Sequence, residues 1–131
     1  MSKFKKLSIV VILILFIILI VSIAGFNQIR KNMKSYESFS FETLNLSQIE
    51  DGVYNGREDG GIVKATVAVT VENHRIKNVR ILSHECGKGK PAEVIVDDIV
   101  ANNSLVVDTI SGATYSSNVI KAAVYQALSN N

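Results

Sequence analysis

The chain has 131 residues, 47% of them hydrophobic, with 14 basic and 12 acidic side chains and a formal charge of +2. Six of the basic residues and none of the acidic ones precede position 35, so the remainder carries 8 basic against 12 acidic residues, a formal charge of −4. That sign argues against a nucleic-acid partner, which requires a basic face, and a single cysteine, Cys86, excludes a disulfide within the chain.

A basic tail, residues 1–6 with Lys3, Lys5 and Lys6, leads into an uncharged, proline-free run, "LSIVVILILFIILIVSIAGF", at 7–26. Twenty residues at about 1.5 Å each span roughly 30 Å, the thickness of a bilayer hydrocarbon core, so the run predicts one transmembrane helix. A secretory signal peptide is the competing reading, since Ser22, Ile23 and Ala24 offer a small-residue cleavage site. The run is longer than the roughly 7–15 apolar residues of such a peptide, which favours an uncleaved anchor. Arg30, Lys31 and Lys34 beyond it nearly balance the lysines before it. The N-terminal amine tips orientation towards a cytoplasmic tail and an extracytoplasmic C-terminal domain at the cell membrane.

Residues 27–50 are polar with scattered Tyr36, Phe39, Phe41, Leu44, Leu46 and Ile49, and read as a stalk that turns helical or packs on the domain. The globular part is assigned to 51–131. Its period-two segment "IVKATVAVTV" sets Ala65, Val67, Val69 and Val71 on one face, the pattern of a half-buried strand. The short turn "ENHR" joins it to "IKNVRIL", and "VYNGRED" precedes it, predicting an antiparallel meander over 53–58, 62–71 and 75–82. From Pro91 the period becomes helical, with Val94, Ile95, Ile99 and Val100 inward and Asp97 and Asp98 in solvent. A final helix, "SSNVIKAAVYQAL", presents Val119, Ile120, Ala123, Val124, Ala127 and Leu128. The expected fold class is α+β: a small antiparallel sheet with two C-terminal helices, preceded by one N-terminal transmembrane helix.

Chemistry concentrates in "DTISGATYSS", 108–117. In the plain structural reading Ser116 or Ser117 caps the last helix, Gly112 makes the turn and Asp108 braces the loop. That leaves Ser111, Ala113 and Thr114, which flank the glycine ahead of a helix N-terminus, without a purpose. A phosphate site accounts for them, because helix-end amides and the helix dipole favour an anion and small residues let the backbone approach it.

Asp108-Thr109-Ile110-Ser111-Gly112-Ala113-Thr114 resembles the acceptor motif of the FMN-binding domain family, Asp-x-x-Ser/Thr-Gly-Ala-Ser/Thr. The resemblance extends over about 51–128, taking in "DGVYNG", the hairpin, "SHECGKGK" and the terminal helix. The flavin-carrying subunits of the sodium-pumping NADH:quinone oxidoreductase and of the Rnf complex share the domain but carry additional segments, so the likeness is to short, self-standing members. It implies FMN as cofactor, joined by a phosphoester to Thr114 through a separate flavin transferase. Position in or beside the motif assigns Asp108, Ser111, Gly112, Ala113 and Ser116 to the same site, and Tyr115, adjacent to Thr114, is assigned to stacking on the flavin ring. The resemblance further implies that the protein relays electrons between membrane redox partners as a carrier rather than a stand-alone enzyme.

"HECGKGK" at 84–90 leaves several readings open: a metal site, a reactive thiol eased by Lys88 and Lys90, a loop lining the flavin, or plain loop geometry. His84 and Cys86 alone supply only two ligands, so no metal is expected, and His84 is placed with the flavin-binding residues. Two alternatives for the whole protein stand beside the covalent carrier. One is a noncovalent FMN-binding reductase or sensor, the other a cofactor-free structural ectodomain.

Overall fold

A computed structural model describes residues 2–130. The apolar run forms part of one helix, α1, Lys3–Glu37, none of whose residues is buried. It is long and apolar enough to cross a membrane. The chain divides into two compact units, Met1–Asn32 and Met33–Asn131.

The second unit holds a three-stranded antiparallel sheet in the order β1 (Gly52–Asp59), β2 (Lys64–Glu72) and β3 (Arg75–Glu85). β2 starts two residues later than its apolar pattern suggests. A tight turn forms first: Gly60 N–H donates to Val63 O at 2.8 Å, and the Asp59 carboxylate accepts Gly61 N–H at 2.9 Å. Asn73 and His74, both at positive φ (52° and 59°), make the β2–β3 hairpin turn, whose handedness matches the twist of the strands. β3 runs on to Glu85, past the expected end at 82. Thr66 pairs with Ser83 but Val67 with Ile81, so Leu82 is bulged out and the strand continues with His84 opposite Ala65.

The alternation expected of β2 is observed: Ala65, Val67, Val69 and Val71 are at most 1% exposed. Two helices cover that face. α3, Thr114–Ser129, lies on β1 and β2, and α2, Ile95–Asn102, on β3. All six residues expected in the stripe of α3 are buried, as are Ile95 and Ile99 of α2. Val94 departs from expectation at 55% exposed. Lys90–Val94 form a 3₁₀ turn, not the first turn of α2, and three residues per turn rotate Val94 away from the core. The polar segment after α1 is drawn onto the same core by Phe41 and Ile49, which are buried there. Such side chains each contribute roughly 1.5–3 kcal/mol on full burial.

Candidate functional site

Helix α3 begins at Thr114, ahead of the serines expected to cap it. The preceding loop closes its own turn. Ala113 N–H donates to Ile110 O at 2.9 Å, and Gly112, at φ +76°, takes the left-handed third position that a side chain would disfavour. Helical conformation then starts at the next free residue, and neither Ser116 nor Ser117 acts as a cap. Ser117, fully buried, donates its hydroxyl to Ala113 O at 2.8 Å and accepts Ile110 N–H at 3.0 Å. Ser116 is 3% exposed and faces Gly89, where an added Cβ would lie 1.9 Å from its Oγ.

A second tie holds the other end of the loop. Lys121, only 7% exposed, donates from Nζ to Val107 O at 3.0 Å and sits 4.8 Å from the centre of the Phe41 ring. Burial pushes its pKa below the ordinary lysine value, and the Asp108 carboxylate opposes that shift by favouring the charged form.

Between α3 and the glycine-lysine loop lies a cleft of about 430 Å³, within the range of roughly 300–1,000 Å³ common for small-molecule sites. Gly112, Ala113, Thr114, Tyr115 and Ser116 line it from the motif, and Cys86, Lys88 and Gly89 from the loop. Thr114 is exposed at its edge, on the first residue of a helix whose amides and dipole favour a phosphate. Tyr115 donates its hydroxyl to Gly60 O, and its ring stands 5.8 Å from that of Tyr36.

Three of the residues grouped by sequence lie elsewhere. Asp108 lines a neighbouring cleft with Lys121, Val106, Val107, Phe39 and Phe41. Ser111 is exposed on the turn and does not line the Thr114 cleft. His84 has a side chain 1% exposed and bonded through Nδ1 to Glu93 Oε1 at 3.1 Å; its Nε2 has no hydrogen-bond partner among the described residues. Met33 and Val63 also line the Thr114 cleft. Val63 is in phase with the buried face of the period-two segment, which marks it as core but not as cleft lining, and Met33 carried no local sequence signal.

An exposed hydroxyl on a helix's first residue, beside a cleft of this volume with a lysine on its rim, fits a phosphate-bearing planar cofactor. Comparison with known families matches residues 60–129, more than half of the chain, to the FMN-binding domain. No curated protein matches the chain. The chain belongs to the FMN-binding domain family, and FMN is its cofactor.

Proposed function

We propose that this protein is a membrane-anchored electron carrier whose FMN is attached through a phosphoester to Thr114. The observation that carries the choice of residue is the sorting of the motif's hydroxyls by burial. Ser116 and Ser117 are 3% and 0% exposed, and Ser111 is exposed but outside the cleft. Thr114 alone among these is both exposed and at the cleft.

Ester formation from free FMN would have to expel water into water, so the transferase needs an activated donor. A flavin dinucleotide, the phosphoanhydride of FMN, meets that need. The Thr114 hydroxyl oxygen bonds to the flavin-side phosphorus, its proton passes to a base, and the phosphoanhydride bond breaks to release a nucleoside monophosphate. No electrons are exchanged in that step. Once bound, FMN supplies one- and two-electron transfer. The chain's own contributions are the helix end that faces the phosphate, the small residues Gly112 and Ala113 that admit it closely, and Tyr115 and Lys88 along the cleft. A phosphoester suits a domain this small, because it secures the cofactor without enclosing it and leaves the ring open to redox partners.

Helix α1 is read as the anchor, with the tail cytoplasmic and the flavin domain outside, on the balance of flanking charge. The partners proposed are a flavin transferase for loading and membrane redox proteins for electron exchange.

The test is Thr114→Val in the full chain, made alongside a flavin transferase and denatured on a gel. Wild type is expected to keep flavin fluorescence and the variant to lose it. Fluorescence surviving in the variant would refute attachment at Thr114. Flavin released from wild type by denaturation would favour noncovalent binding, and mass spectrometry of the loaded peptide locates the bond.

A further inference from the structure

We infer that Lys121 is a positioning residue for flavin loading: from beneath the acceptor loop it fixes Asp108 so that Asp108 and Thr114 are presented together. The inference rests on the attachment reading above and adds a residue that the motif does not contain.

Lys121 follows Thr114 by seven residues on the same helix, about two turns, so the two share a face. At 7% exposure a bare ammonium is costly unless it is paired and hydrogen-bonded. Lys121 is the one charged residue of α3, and its sequence neighbours Ile120, Ala122, Ala123 and Val124 are apolar and buried. The ammonium is instead held by the Val107 carbonyl at 3.0 Å and the Phe41 ring at 4.8 Å, while the Asp108 carboxylate in the same cleft favours its charged form. Val107 and Asp108 are adjacent in sequence, so the bond to the one carbonyl holds the backbone from which Asp108 projects, and Asp108 and Lys121 line the same cleft. Ser117 grips the far end of the same loop at Ile110 and Ala113. The helix that presents the hydroxyl therefore also grips both ends of the loop. Lys121 touches neither hydroxyl nor flavin, and makes or breaks no bond.

The experiment is a double-mutant cycle on loading kinetics, with full-length chain in detergent, a purified flavin transferase and flavin adenine dinucleotide as donor. Lys121→Met keeps the stem against Phe41 and removes the charge. It is expected to lower the loading kcat by roughly tenfold to a hundredfold, the scale of a small misplacement of a reacting group. KM for the acceptor chain is expected to hold, as is cooperative melting. Lys121→Arg restores the charge and is expected to recover most of the rate. Because Lys121 acts through Asp108, Lys121→Met adds little in an Asp108→Asn background. Should Lys121→Met not melt cooperatively, Lys121→Leu is measured in its place, since its smaller apolar side chain also removes both the charge and the bond to Val107 O. Wild-type loading in the neutral variant overturns the inference, as does an effect of equal size with and without Asp108. Thr114→Val separates the two claims. If it still loads, the attachment residue is wrong, whereas if it does not and the neutral variant loads normally, only the role of Lys121 is wrong.

Discussion

Gly89→Ala is expected to destabilise the domain and impair flavin loading through one contact. Gly89 has φ −83°, a conformation open to alanine, so the backbone raises no objection. Without a steric conflict the change would stabilise by about 0.4–1 kcal/mol, through the lost freedom of the unfolded chain. The conflict decides the sign. An added Cβ would lie 1.9 Å from Ser116 Oγ, 2.8 Å from Ser116 Cβ and 3.1 Å from Cys86 O. The hydroxyl can rotate away but the Ser116 Cβ cannot, so the 86–89 loop must lift off the first turn of α3. Overpacking of this kind costs about 1–3 kcal/mol, and each kcal/mol lowers Tm by roughly 4–8 °C in a domain of this size. Ser116→Gly removes both clashing atoms and should restore the loop in the double variant, less about 1 kcal/mol for glycine in a helix. Ser116→Ala leaves the Cβ in place and should rescue only in part. Thermal melts of wild type, the three single variants and the two double variants, with covalent flavin measured in parallel, give the coupling. An unchanged or raised Tm for Gly89→Ala would show that the loop does not rest on α3, and the cleft would lose that wall.

Ser117→Ala should cost about 1 kcal/mol, because it leaves the part-buried Ile110 amide without its acceptor. Faster hydrogen exchange at that amide and a lower Tm are the expected readings, and an unchanged melt would refute the tie. Lys121 gives a pH dependence with a definite sign. Its folded-state pKa lies below the ordinary value of 10.5, so between the two the folded chain binds fewer protons than the unfolded one. Stability attributable to Lys121 therefore rises with pH across that window, as the burial penalty is relieved, and levels off above it. Denaturant melts across alkaline pH should show this rise in wild type and not in Lys121→Met. The same rise in the variant would assign it to another group.

The strand alternation and the helical stripe were legible in sequence because each is a repeating pattern set by the element's own geometry. Val67 and Val69 face the core for the same reason as Val119 and Val124: their period fits the element that carries them. The misreadings occur where geometry changes within a segment. Val94 follows a helical period but lies in a 3₁₀ turn, and the bulge at Leu82 carries β3 on to Glu85. Ser116 and Ser117 look like caps because serine before an apolar stripe usually is one. Here a turn closed by Gly112 starts the helix early and leaves both serines inside it, where Ser117 fastens the loop and Ser116 packs against Gly89. Lys121 had a signal in principle, a single charge within the largely apolar stretch "NVIKAAV". Sequence could mark it as out of place but could not name its partners, since Phe41 lies 80 positions away and Val107 in a loop without periodicity. A motif is thus readable as a set of adjacent residues, while the support that aims it comes from the helix beneath, where the only trace is a residue that disobeys the pattern.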